Sequence, residues 1–179
     1  MPSVLILPGW QGSGPGHWQS RWERRHGYQR VEQHDWLRPL RGDWTARLED
    51  VVLAQPGPVL LAAHSLGCLL ATWWAAHSRH TGRVAGALLV APPDIGRDDN
   101  RQQIPGWAPP ARQRLPFRSL LVASSDDPFG SLESASRLAS AWGSDLLHLG
   151  AYGHINADSG LGDWDEGHAL LLDLQGSQY

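Results

Sequence analysis

The sequence predicts an α/β fold: a mostly parallel sheet of about six strands with helices on both faces. Three observations carry this. Short, nearly all-apolar runs recur along the chain, as strands buried on both faces require. Longer amphipathic stretches separate them, and strand–helix alternation implies parallel pairing with right-handed crossovers. The 179 residues, 41% of them apolar, suffice for one domain with a sizeable core, 1–179.

Each element has its own reason. Residues 4–7 (VLIL) predict a buried strand, and 18–25, with Trp18 and Trp22 among charges, a short helix. Residues 28–33 predict a weaker second strand. Residues 43–53 predict a helix with Asp43 as N-cap and Trp44, Leu48, Val51 and Val52 as its apolar stripe. A third strand is expected over 58–62 and a helix over 68–78. Strands four and five follow over 87–90 and 120–123. Residues 131–142 predict a helix capped by Ser131, with Glu133 in its first turn. A sixth strand over 146–149 and a closing helix over 166–174 complete the set. Only residues 92–117 break the rhythm. They are rich in proline and polar residues and too long for an ordinary connection. They form either a cover over a site or a mobile loop.

Composition narrows the partners. Net charge is −3 with no basic block, which argues against nucleic acid. Every basic residue is arginine, so chemistry that needs a lysine amine is excluded. A single cysteine, Cys68, precludes an internal disulfide and suits a reducing compartment. The stretch MPSVLILPGW lacks the basic start and apolar length of a signal peptide. No run approaches the ~20 apolar residues of a membrane span. A cytoplasmic protein with no membrane partner is therefore expected; oligomeric state is not legible. The ten tryptophans either fill the core or, at Trp10, Trp18 or Trp107, line an apolar pocket.

The stretch VLLAAHSLGCLLATWW, residues 59–74, carries the chemistry. His64, Ser65 and Gly67 interrupt an apolar run at the predicted passage from strand to helix. An abrupt turn there holds a serine at its apex and needs small residues two positions either side, here Ala63 and Gly67. The free N–H groups of the following helix favour negative charge beside Ser65. This is the G-x-S-x-G nucleophile elbow with alanine in the first place; its plain alternative is a serine N-cap. A serine nucleophile needs a base, and the base an orienting acid. The fifth strand is followed by SSDDPFG, with Asp126 and Asp127, and the sixth by GAYGHIN, with His154. Taken alone, such an aspartate reads as a turn former and such a histidine as a surface residue. Together they give the chain order Ser, Asp, His of α/β-hydrolases. Asp127, stiffened by Pro128, is preferred to Asp126, with Asp94 a distant third. The oxyanion donors are expected to be the backbone N–H groups of Leu66 and Trp10, with Gln11 as the alternative to Trp10. The glycine-rich LPGWQGSGPGHW loop matches no phosphate-binding pattern, and the nine histidines lack a zinc-hydrolase spacing, so no metal or cofactor is expected.

The motifs LPGWQGSGPGHWQSRWE, AHSLG, SSDDPF and GHINADSGLGDW together resemble the small serine hydrolases of the retinoblastoma-binding-protein-9/YdeN type, over nearly the whole chain. The resemblance implies a compact α/β-hydrolase fold without a large cap domain, with Ser65 as nucleophile, His154 as base and Asp127 as acid. It also implies esterase activity on small acyl esters. The expected function is thus a small-substrate carboxylesterase with a small-molecule acyl substrate. Thioester or amide hydrolysis, acyl transfer, and a non-catalytic binding role on the same fold are the alternatives.

Overall fold

Six strands pair in the order β2-β1-β3-β4-β5-β6, every pairing parallel. They are β1 (Ser3–Leu7), β2 (Gln29–Arg30), β3 (Val59–His64), β4 (Val84–Val90), β5 (Arg118–Ser124) and β6 (Asp145–Gly150). The computed structural model describes residues 1–176, so the last three residues of the expected 1–179 domain lie outside the described residues.

Side chains of a strand alternate between faces, and here both faces are covered. Leu5, Leu7, Leu61, Ala63, Leu89 and Leu121 pack with residues of α2 (Arg41–Ala54), α3 (Leu66–His77) and α5 (Leu132–Trp142), among them Trp44, Trp74 and Trp142. Val4, Ile6, Leu60, Ala62, Leu88 and Val90 pack with Trp18 and Trp22 of α1 (Trp18–His26) and Leu171 of α6 (Asp165–Asp173). Because every strand is parallel, all their carboxyl ends lie along one edge, where loops from different strands can converge.

Several expectations need correction. The helix expected from Asp43 starts at Arg41, and Leu40 is its N-cap without a side-chain bond. Asp43 sits inside the first turn, where its carboxylate meets the positive end of the helix dipole. Ser131 does cap α5, its Oγ accepting from Ser134 N–H at 3.1 Å. β2 has two residues, and β6 is largely exposed because it is a sheet edge. The 92–117 segment contains a helix, α4 (Asp98–Gln103), that no apolar periodicity announces. Trp18 and Trp107 are core residues. No helix among the described residues is long and apolar enough to cross a membrane.

Candidate active site

Ser65 stands between β3 and α3 at φ 55°, ψ −122°, a conformation costly for a residue with a Cβ. The turn is pinned on both sides. Ser65 N–H donates to Val90 O on β4 at 2.9 Å, and Cys68 N–H donates to Ser65 O at 2.9 Å. Close packing explains the small residues: a Cβ at Gly67 would overlap the Leu7 carbonyl. A Cβ at Gly9 would lie 3.1 Å from Leu66 N and from Ser65 Cβ, so the loop after β1 is seated against the turn. Buried Gln19 ties the two strand ends together. Its Nε2 donates to Leu7 O at 3.1 Å and Ala62 O at 3.0 Å, and its Oε1 accepts from Ser13 Oγ at 2.6 Å.

Three strand ends deliver one hydrogen-bonded file. His154 Nε2 lies 2.9 Å from Ser65 Oγ, and its Nδ1 lies 2.9 and 3.0 Å from the two oxygens of Asp127. The carboxylate only accepts, which assigns the ring proton to Nδ1 and leaves Nε2 as acceptor for the serine hydroxyl. The Asp127 side chain is 4% exposed and that of His154 12%, so their interaction is little screened. Phe129 N–H donates to Asp127 Oδ1 at 2.9 Å, and the Phe129 ring packs edge-on against His154.

Asp126 takes a different position. Its Oδ1 accepts from Gly153 N–H at 2.7 Å and from Ser124 Oγ at 2.9 Å. These two bonds, the backbone one first, hold its carboxyl below the usual range. Asp126 thus fastens the residue that precedes His154 and does not touch the imidazole. Asp94 turns back on Gly96 N–H, outside the file.

Leu66 N–H opens α3, and neither it nor Trp10 N–H has an acceptor among the described residues. Gln11 N–H is committed to Trp36 O at 3.0 Å. Trp10 and Leu66 both line the cavity onto which Ser65 and His154 open, a space of about 330 Å³. Pro93, Asn100, Gln103 and Ile104 of the 92–117 segment line it too, so part of that segment forms a wall of the cavity. Asn100 Nδ2 bonds Asp94 O and Phe129 O, and Trp107 Nε1 bonds Pro39 O at 2.8 Å. Among the described residues no group of three or more His, Cys, Asp and Glu side chains is placed to hold a metal.

The sequence reading gave no role to two buried histidines: His17 went unremarked, and His64 was noted only as part of the break in the apolar run. His64 donates from Nε2 to His154 O at 2.8 Å, bracing the loop that carries the imidazole. His17 caps α1, its Nδ1 accepting from Gln19 N–H at 3.0 Å, and its ring lies 4.6 Å from that of His64. Burial, then the neighbouring imidazoles, pushes both below the ordinary histidine value, His17 down to about 3. The sequence signal was position: His64 directly precedes Ser65 at the end of β3, and His17 lies in the loop after β1.

A parallel sheet with a strained serine turn and an imidazole at its carboxyl edge defines a protein of the α/β-hydrolase fold. Comparison with known proteins makes the class specific. The serine hydrolase family model matches residues 4–173, and the chain belongs to that family of hydrolytic enzymes. A YdeN-like hydrolase of Pectobacterium atrosepticum is 32% identical, with 98% of this chain and 91% of that one covered at a TM-score of 0.85. The ydeN gene product of B. subtilis is 20% identical over 97% of this chain and 98% of that one, at a TM-score of 0.79. A thermophilic esterase of Thermogutta terrifontis, 14% identical, shares the fold at a TM-score of 0.66 over 98% of this chain and 91% of its own. No curated protein sequence matches.

Proposed function

We propose that the chain is a carboxylesterase acting on small esters, with Ser65 as nucleophile, His154 as general base and then acid, and Asp127 as the group that orients it. Ser65 Oγ attacks the acyl carbon while His154 Nε2 takes its proton. Asp127 holds the Nδ1 tautomer and stabilises the imidazolium that forms. The N–H groups of Leu66 and Trp10 receive the oxyanion, each contributing roughly 3–4 kcal/mol to the transition state. Collapse breaks the ester C–O bond, and His154 returns the proton to the departing alcohol. Water, activated by the same imidazole, then releases the acid and restores Ser65.

The observation that carries this reading is the unbroken file of hydrogen bonds from Ser65 through His154 to Asp127, at 2.9 Å in both links. The cavity supports a small substrate, since its volume is at the low end for ligand sites. Among the described residues no arginine or lysine lines it, which favours an uncharged ester over a thioester with a phosphorylated carrier. A fluorophosphonate probe tests the assignment. Covalent labelling at Ser65, lost in Ser65→Ala, is expected; an unlabelled native protein rejects an activated serine. A panel of para-nitrophenyl esters of graded length then reads the acyl preference, expected to peak at short chains.

A further inference from the structure

His17 is an unusual choice for the work its backbone position requires. Helix N-caps favour asparagine, aspartate and serine, any of which would bond Gln19 N–H and end there. Histidine caps through Nδ1 and brings a second nitrogen with it. Because Nδ1 accepts a hydrogen bond, the neutral ring must carry its proton on Nε2. Burial keeps the ring neutral. The residue is 5% exposed, and Nε2 has no hydrogen-bond partner among the described residues. A buried donor without a partner destabilises a purely structural residue. Yet this ring lines the same cavity as Ser65 and His154.

We propose that His17 Nε2–H is a substrate-recognition donor, which bonds an uncharged oxygen acceptor, such as an ether, hydroxyl or carbonyl oxygen, carried by the substrate beside its scissile ester. This rests on the hydrolase reading of Ser65 and adds a substrate class to it. The ligand group must be an acceptor, because the protein side offers only a donor. It must be uncharged, because among the described residues no arginine or lysine lines the cavity to offset a desolvated anion, while acidic Asp158 does line it. The substrate is therefore an oxygenated ester and not a plain alkyl one.

Matched pairs that exchange one methylene for oxygen test this. Para-nitrophenyl methoxyacetate against para-nitrophenyl butyrate places the acceptor on the acyl side. Methoxyethyl acetate against butyl acetate places it on the alcohol side. After correction for alkaline reactivity, kcat/KM should favour the ether by about three- to tenfold in one of the two arms, the size of a net hydrogen bond. His17→Asn keeps an oxygen where Nδ1 now caps the helix, and its shorter amide places no donor at the Nε2 position. It should bring that ratio to about one. His17→Ser, another good cap, provides the same comparison should the first variant fold poorly. A capping role alone would slow both members of a pair equally and leave the ratio unmoved, which overturns the proposal. So does a native ratio near one in both arms. Fluorophosphonate labelling run alongside separates the two failures. A labelled enzyme with unit ratios overturns His17 alone, whereas an unlabelled one overturns the reading beneath it.

Discussion

The turn at Ser65 and part of the segment over residues 92–117 wall the same cavity but differ in what mainly holds them. Backbone holds the turn. Ser65 N–H is bonded to β4, Gly67 leaves no room against Leu7, and the Gly9 loop is pressed onto it. Among the described residues, backbone bonds pin the segment only near its two ends, Asp94 N–H to Phe129 O and Leu115 N–H to Trp142 O. Between them side chains hold it, with Trp107 anchored on Pro39 O, Asn100 on two carbonyls, and Ile95 and Ile104 buried. Carbonyls and amides are present whatever the side chain, so the turn survives sequence change as long as its neighbours stay small. The segment can be reshaped by single substitutions at its anchors. On the proposed function, reaction chemistry would reside in the backbone-built region, and the side-chain-built wall would set how much room the substrate has beyond it.

The largest effects should come from the turn and its partners. Ser65→Ala is expected to lower kcat by roughly 10⁴–10⁶ with thermal unfolding unchanged. Asp127→Asn should cost about 10⁴, because the amide no longer favours the Nδ1 tautomer. Asp126→Asn, one residue earlier, should cost far less. Equal losses at the two positions would mean that anchoring Gly153 matters as much as orienting His154. Gly67→Ala comes next. Its added methyl must displace the Leu7 carbonyl, and a shift of this kind at a nucleophile costs on the order of 10²-fold. Native-like turnover by this variant would break the claim that backbone crowding sets the turn.

The same contrast explains what could be read from sequence. The serine turn was legible because crowding leaves a local signature, small residues around a serine between an apolar strand and a helix. The meeting of Asp127 and His154 with Ser65 was legible because a parallel sheet puts every strand end on one edge. The interior strands could be read from their apolar runs, but the exposure of β6 could not, since strand order decides which strand is an edge. The start of α2 was misjudged because Asp43 is as favourable in a first turn as at a cap. α4, with the sequence DDNRQQ, has no apolar stripe and is tied down through Asn100. The roles of His17 and His64 could not be read because their partners, Gln19 N–H and the His154 carbonyl, are backbone groups that leave no mark in sequence.

Acidification should separate the two regions next. The turn is backed by His17 and His64, both held neutral by burial, while residues 92–117 contain no histidine. In the unfolded chain both imidazoles take up protons as pH falls through about 6.5. In the folded chain His17 does so only at about 3. The unfolded state thus binds more protons in this window, so stability is full above pH ~6.5 and declines as pH falls below it. The slope is up to about 1.4 kcal/mol per pH unit for each histidine. Urea unfolding at a series of pH values between neutrality and about pH 4.5 should show it, and His17→Asn should flatten it. A native profile level across that range would mean that these rings are protonated in the folded state and that the turn is not backed by neutral imidazoles.

The smallest effect belongs to the segment's main anchor. Trp107→Phe keeps an aromatic ring beside Trp44 but deletes the Nε1–H bond and leaves the Pro39 carbonyl unpaired in a buried place. A loss of about 1–2 kcal/mol is expected from the missing partner, measurable as a shift in urea midpoint. Since Trp107 does not itself line the cavity while Ile104 and Gln103 do, the change should reach the substrate only through the position of that wall. Longer acyl chains should then show a KM altered by about two- to fivefold, the consequence of a repositioned apolar contact. The kcat for an acetate ester, which reaches little beyond Ser65, should stay within about twofold of native. A parallel fall in kcat for the acetate would show that the wall and the turn move together, and the division between a backbone-held reaction centre and a side-chain-held specificity surface would fail.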